Sequence, residues 1–209
     1  MKKLFAGISD TVLSKPVCLF FLIAGSVYGN GIMFCFGNDP SQPLGTLSIL
    51  CEDRKYLYWL WFVFVAGGFL LNTLFIYRRY GERSVFLTLL CFAALAAAFG
   101  IGLTLGHDVT TWNPKRIAHW ISTGAYAVTL ALSMLLFFIK NAGKFKGFYL
   151  YAAAVLFVAA LMGVWLLTLG KSGLMEMIPK TLFGLLLLFV GFILPVKRKG
   201  SGATAERSP

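Results

Sequence analysis

The side chains best suited to chemistry are concentrated in one segment, residues 106–124, which reads GHDVTTWNPKRIAHWISTG. It contains both histidines of the chain, His107 and His119, together with Asp108. Pro114 lies between the histidines and should interrupt a helix, so we expect the chain to reverse there and bring both imidazoles to one membrane boundary. A catalytic zinc needs three protein ligands, and haem held by two imidazoles needs them on facing helices. Since neither HExxH nor CxxC completes a ligand set, we predict no metal and no cofactor.

Two other interpretations of this segment remain open. Lys115 and Arg116 stand beside Trp112 and Trp120, and an arginine fork is suited to a phosphate, such as that of a lipid headgroup. The simpler interpretation is interfacial anchoring, in which tryptophans lie at headgroup level and basic side chains extend to water without a bound ligand. Anchoring is favoured because such an aromatic belt is common to multispan membrane proteins.

The hypothesis with the most consequences is a ligand-binding face at this boundary. Arg116 and His119 are three residues apart at the start of a predicted helix, so they share one side of it, and Thr123 lies one turn further in. We therefore predict a polar line that descends from headgroup level into the protein. Its candidate ligand-binding residues are Arg116, His119, Thr123, Trp112, Asp108 and His107.

The four cysteines divide into two groups. Cys18 and Cys91 fall within apolar stretches and are predicted to be buried thiols. Cys35 and Cys51 fall on one side of the membrane, and a bridge between them would close a loop of about 16 residues, stabilising the fold by about 3 kcal/mol on a loop-entropy basis. A structural disulfide and a pair of free thiols both fit this spacing, whereas a redox-active pair would favour CxxC.

The elements that must position these residues are membrane-spanning helices. Hydrophobic residues make up 58% of the 209 residues and charged residues 13%, about half the charged content of a soluble domain. Apolar stretches of about 20 residues match the hydrocarbon thickness of a bilayer, where backbone groups must be hydrogen-bonded within a helix. Six are predicted: residues 17–36, 56–77, 85–105, 118–139, 148–169 and 181–196. The predicted fold is all-α, a polytopic six-helix transmembrane bundle.

The distribution of basic residues along the chain predicts its orientation in the membrane. With both termini in the cytoplasm, 13 of the 19 Lys and Arg residues are cytoplasmic and 6 lie outside, as the positive-inside rule requires. The net charge of +11 is thus a topology signal, and no nucleic-acid partner is predicted. Residues 1–15 carry apolar side chains on one helical face and are predicted to lie on the cytoplasmic surface as a short amphipathic helix. Residues 16–197 form the bundle, and residues 198–209 are predicted to be a disordered cytoplasmic tail.

The predicted spans contain no ionisable residue near their centres, which lowers the expectation of an ion-coupled transporter. Small residues recur instead, and Gly25-x-x-x-Gly29 and residues 93–98 are interpreted as helix-packing surfaces rather than a ligand path.

The layout resembles the FRAG/DRAM/Sfk group of six-span membrane proteins and its bacterial relatives. Two regions carry the resemblance. One is the first outer loop with the second span, QPLGTLSILCEDRKYLYWLWFVFVAGGFLLNTLFIYRRYG, and the other is the opening of the fourth span, RIAHWISTGAYA, with His119. The charged run that follows Cys51 departs from the group. The resemblance implies a role in lipid organisation or regulation, and a bacterial inner-membrane location.

Together these features favour a non-enzymatic integral membrane protein with a lipid-interacting, regulatory or accessory-subunit role. Its expected partners are membrane lipids, with a second protein or a further copy of the chain on small-residue helix faces. A small oligomeric transporter or channel is the first alternative, supported by mild polar residues in the spans. A membrane enzyme using His107, Asp108 and His119 is the second alternative.

Overall fold

The chain folds into helices throughout the part that the computed structural model describes, residues 10–35, 41, 46–52, 54–106, 112–145, 147–168, 170 and 172–196. Residues 10–12 are helical, and no strand occurs among the described residues. The later elements are α1 (Lys15–Gly31), a short α2 (Leu47–Leu50), α3 (Lys55–Arg79), α4 (Val85–Leu103), α5 (Pro114–Asn141), α6 (Phe148–Thr168) and α7 (Gly173–Ile193). Both α3 and α7 contain a π-helical segment, at Phe62–Ala66 and Phe189–Ile193 respectively.

Five of these helices, α3 to α7, are long and apolar enough to cross a membrane. The prediction of an all-helical membrane bundle is therefore confirmed at that level. Helix α1 is shorter than predicted, with 17 residues, because the chain leaves the helix after Gly31 through a turn at residues 32–35. Most of the amphipathic segment 1–15 and the tail 198–209 lie outside the described residues.

The start of α7 differs from the prediction. The helix begins at Gly173, eight residues before the predicted span, because Ser172 caps it by accepting a hydrogen bond from the Met175 amide at 3.3 Å. It then continues across Pro179. Glu176 and Lys180 consequently belong to the apical part of this helix, which the predicted span 181–196 leaves out.

Helix α3 is the centre of the bundle. It packs against α1, α4 and α7, while α4 pairs with α5, and α6 lies between α5 and α7. Close approach of α1 to α3 depends on glycine, since a Cβ at Gly25 would overlap the carbonyl oxygen of Phe64, and one at Gly29 would lie 2.9 Å from a Val65 methyl. The prediction that Gly25-x-x-x-Gly29 is a packing surface is confirmed. Ala94 and Ala98 of the 93–98 run are likewise buried.

We call the end of the bundle that holds residues 10–15 and Leu194 the basal end, and the opposite end the apical end. Aromatic rings close the basal end, with centroids 4.9 to 6.0 Å apart between Tyr80 and three phenylalanines, Phe137, Phe145 and Phe148. The guanidinium of Arg79 donates to the carbonyls of Gly191 and Leu194, the latter at 2.6 Å. The positive charge of Arg79 thus pairs with carbonyls at the end of α7, where the helix dipole is negative.

A buried carboxylate joins α4 to α5 at the basal end. Glu82 Oε1 accepts from the amide of Ser84 at 2.8 Å and from Lys140 Nζ at 2.7 Å, and its Oε2 accepts from Asn141 Nδ2 at 2.9 Å. Burial by itself would raise the pKa of the Glu82 carboxyl, but these hydrogen bonds and the Lys140 charge outweigh it and lower that pKa from 4.5 to about 2. Only 5% of the Glu82 side chain is exposed, whereas the Lys140 side chain is 51% exposed, so the carboxylate is shielded from water while its cation reaches it.

Replacement of Glu82 by alanine should lower the free energy of unfolding by about 3 kcal/mol, because it leaves buried donors without their charged acceptor. The matched control is Asp10→Ala, since the ion pair of Asp10 with Arg78 joins side chains that are 64% and 50% exposed and should contribute under about 1 kcal/mol. Because the pKa of Glu82 is lower in the folded state, its ionised carboxylate stabilises the fold at pH values above 4.5. This stabilisation is lost as the pH falls from 4.5 towards 2. Thermal unfolding in detergent should therefore separate Glu82→Ala from the parent at pH 7 and not at pH 2. Equal stability of the two at pH 7 would contradict this account.

Candidate functional site: the apical network

Part of the connection between α1 and α3, residues 46–51, packs into the apical end of the bundle. Residues 46–51, which we call the apical plug, include the short helix α2. Thr46 and Cys51 are 1% and 0% exposed, and Leu47 and Leu50 are buried as well. A loop in this position must have its backbone polar groups paired, because water cannot reach them.

Helix α7 supplies one of those partners. Glu176 Oε2 accepts a hydrogen bond from the amide of Leu47, the first residue of α2, at 2.8 Å. A carboxylate at this position satisfies an otherwise unpaired amide and complements the positive end of the helix dipole. Glu176 thereby ties the plug to α7.

His119 supplies the second attachment. Its Nε2 lies 3.0 Å from Ser48 Oγ in the plug, and its Nδ1 lies 3.1 Å from Thr104 Oγ1 at the end of α4. The Thr104 hydroxyl donates to the carbonyls of Gly100 and Ile101, so it accepts at His119. This pattern assigns the proton of the neutral imidazole to Nδ1 and leaves Nε2 to accept from Ser48.

Lys180 and Thr181 join α7 to the apical end of α1. The Lys180 ammonium donates to the Gly29 carbonyl. One residue along each helix, Asn30 Nδ2 donates to Thr181 Oγ1 at 3.1 Å. Lys180 thus places its positive charge near the C-terminus of α1, where the helix dipole is negative and a cation is favourable.

The residues of the predicted polar line do not face a common site in the structure. Arg116 is half-buried and stacks over the ring of Trp112 at 4.3 Å, and Trp112 is 70% exposed at the apical boundary. His119, in contrast, is 1% exposed and faces the plug. The Thr123 hydroxyl donates to the backbone carbonyl of His119 on its own helix. His107 and Asp108, the other two candidates, lie outside the described residues.

The cysteines are free thiols. Cys18 and Cys91 are buried as predicted, at 0% and 1% exposure. Cys35 is exposed at the end of the turn after α1, whereas Cys51 is fully buried in the plug, so the disulfide is not formed in this structure. Burial, helped by the negative charge of Glu176, raises the pKa of the Cys51 thiol to about 12. A thiol with so little thiolate is unreactive at neutral pH.

A groove of about 190 Å³ runs between α1 and α7 just below the Lys180 contact. Its lining is almost entirely apolar and comprises Leu22, Ile23, Ser26, Val27, Thr181, Gly184, Leu185 and Leu188. The groove exists because small residues face each other across it, with the Gly184 Cβ position 3.4 Å from Ser26 Oγ. Its rims are exposed, Val27 to 68% and Leu185 to 55%, so it opens at the outer surface of the helix bundle.

No group of three or more His, Cys, Asp or Glu side chains that could hold a metal ion occurs among the described residues. Sequence reasoning had located His119 but missed Glu176 and Lys180. One signal for them was available: Ser172 and Gly173 precede an apolar stretch and are suited to starting a helix ahead of Pro179.

Comparison with known proteins finds no matching family model, no matching curated protein and no matching solved structure.

Proposed function

We propose that this chain is a non-enzymatic integral membrane protein that acts by binding membrane lipid, in a regulatory or accessory role. The observation that carries the proposal is the α1–α7 groove, which is apolar and faces the bilayer, with Lys180 next in sequence to its lining residue Thr181. Grooves of this kind accommodate an acyl chain by apolar contact, while a cation at the membrane boundary attracts the headgroup phosphate.

The proposed topology has six spans, with α1 as the first, and both termini in the cytoplasm. Helix α1 is about 26 Å long at 1.5 Å per residue, which crosses the hydrocarbon core with slight local thinning of the bilayer. The Asp10–Arg78 ion pair and the Arg79 contacts with α7 hold the chain's two described ends at the basal side. The asymmetry of basic residues makes that side cytoplasmic, and the location is an inner, or plasma, membrane.

Helix α6 supports an accessory role. Its buried residues are Phe148, Ala152 and Val155, all in its basal half. In the apical half, Leu167 is 87% exposed, and a Cβ at Gly163 would meet nothing within 4 Å. Small residues on such a face allow another membrane helix to approach closely, from a partner protein or from a second copy of this chain.

Transport is the second candidate, and buried polar atoms favour it. Four buried polar atoms near α3 have no hydrogen-bond partner within the described part of the chain: Trp61 Nε1, Asn72 Oδ1, Thr73 Oγ1 and Tyr126 OH. Unpaired polar atoms are costly inside a membrane, so a hydrated or substrate-filled path along α3 would satisfy them.

Filling the groove tests the lipid proposal. Gly184→Leu places a side chain between α1 and α7, and Val27→Trp covers the groove from its exposed rim. Native mass spectrometry of the purified protein should show phospholipid retained by the parent and lost by at least about tenfold in both variants, because a few apolar contacts are worth more than 1.4 kcal/mol. The matched control is Gly163→Leu, the same change at an open position on α6. Lipid retention that is equal in the parent and both groove variants would refute the proposal.

A further inference from the structure

We propose that the basal end of the bundle binds the headgroup of an anionic phospholipid through Arg83 and Lys144. This site lies apart from the α1–α7 groove, and it adds to the proposed function a second lipid contact that selects for headgroup charge. The inference comes from two exposed cations that the fold holds on adjoining turns and leaves unpaired.

Glu82 fixes these two turns against each other. Its Oε1 accepts from the backbone amide of Arg83 at 3.0 Å and from Lys140 Nζ at 2.7 Å, and its Oε2 accepts from Asn141 Nδ2 at 2.9 Å. The amide of Lys144 in turn donates to the Asn141 carbonyl at 3.0 Å. The turn between α3 and α4, which carries Arg83, is thereby joined to the turn between α5 and α6, which carries Lys144.

The carboxylates at this end of the bundle are already engaged. Asp10 and Glu82 are the basal carboxylates among the described residues, and each has a basic partner in an ion pair. The charge of Glu82 is matched by that of Lys140. The side chains of Arg83 and Lys144 are exposed and make no ion pair or hydrogen bond in the described part of the chain. Their two positive charges are therefore accessible to an anion from outside the protein.

The surroundings of the two cations indicate which anion this is. Exposed apolar side chains begin directly beside them, Val85 and Phe86 at the start of α4 and Tyr149 and Leu150 at the start of α6. The cations thus lie where the apolar helices leave the hydrocarbon core, at the level of the lipid phosphates.

Charge complementarity favours a net negative headgroup. The planar guanidinium of Arg83 can hold two phosphate oxygens, and the Lys144 ammonium adds a second charge. A zwitterionic headgroup brings its own ammonium group, which two protein cations repel, whereas an anionic headgroup does not.

The test is the headgroup selectivity of the purified protein. In non-ionic detergent, the parent is titrated with phosphatidylglycerol or with phosphatidylethanolamine of identical acyl chains, and lipid binding is measured by native mass spectrometry. We expect phosphatidylglycerol to bind more tightly by about 30-fold, since each cation near the headgroups contributes about fivefold. The double variant Arg83→Gln with Lys144→Gln should bind both lipids about equally, whereas Arg83→Lys, which keeps the charge, should keep the preference.

The matched control removes two exposed cations from the opposite end of the bundle, in the double variant Lys55→Gln with Lys115→Gln. It should keep the preference of the parent, and gel filtration in detergent establishes that each variant is folded. A parent without the preference, a basal double variant that keeps it, or an apical double variant that loses it equally would overturn this inference. The groove proposal would stand in each case, because its measure is the phospholipid retained by the groove variants.

Discussion

Gly25→Ala is expected to destabilise the fold more than any other single methyl group added to the described bundle interior. The new Cβ would overlap the Phe64 carbonyl oxygen, which belongs to the π-helical segment of α3 and cannot rotate away as a side chain would. Relief requires α1 and α3 to separate. We expect a loss of at least about 3 kcal/mol in the free energy of unfolding, at the upper end of overpacking costs.

The matched control is Gly31→Ala in the same helix, where an added Cβ would meet nothing within 4 Å. That change should alter stability by less than about 1 kcal/mol, since alanine is if anything the better helix former. Thermal unfolding and the yield of monodisperse protein in detergent measure both variants. Indistinguishable behaviour of Gly25→Ala and Gly31→Ala would show that α1 does not pack against α3 as described.

His119→Ala should release the apical plug, with the second largest effect. It removes the contact to Ser48, which attaches the plug to α5, and the contact to Thr104, which joins α5 to α4. The Ser48 contact, one hydrogen bond at about 1 kcal/mol, is the one that holds the plug, so its loss favours the open plug by about fivefold. The measurable result is the reactivity of Cys51, which is fully buried and carries a pKa of about 12 in the closed plug.

Labelling by a soluble maleimide, resolved by peptide mass spectrometry, reports this directly. In the parent, the exposed Cys35 should react and Cys51 should not. In His119→Ala, Cys51 labelling should rise by about fivefold, while the Cys35 rate serves as internal reference. Thr123→Ala is the control variant, because its hydroxyl bonds only within α5 among the described contacts. Rapid labelling of Cys51 in the parent would exclude the closed plug.

Hydropathy and length located the helices well where apolar residues are continuous. The predicted spans at 56–77, 85–105 and 148–169 agree with α3, α4 and α6 to within two residues at each end. The start of α7 escaped prediction for a physical reason. Pro179, Lys180 and Glu176 interrupt the apolar pattern, and hydrogen bonds with the backbone of Leu47 and Gly29 help to make a half-buried glutamate and lysine acceptable there.

The predicted ligand-binding face was likewise only partly predictable from the sequence. The sequence correctly indicated that Arg116 and His119 lie near the start of a new helix, which begins at Pro114. It could not indicate that Ser48, 71 residues away in sequence, folds back onto His119 and takes its imidazole out of the lipid-facing surface. Arg116 and His119 share a helix turn, but one stacks on Trp112 and the other is enclosed.

The sequence by itself determined that this is a helical membrane protein, because apolar length and the need to pair every backbone group in lipid admit few other structures. It also indicated that Gly25 and Gly29 form a helix-packing surface, since small residues allow a close approach, whereas the structure showed that α3 is the partner. The tertiary structure decided which polar residues are interior, because Glu176, Lys180 and His119 are stabilised by partners far away in the chain. It also created the α1–α7 groove, which exists only where Ser26 and Gly184 come face to face.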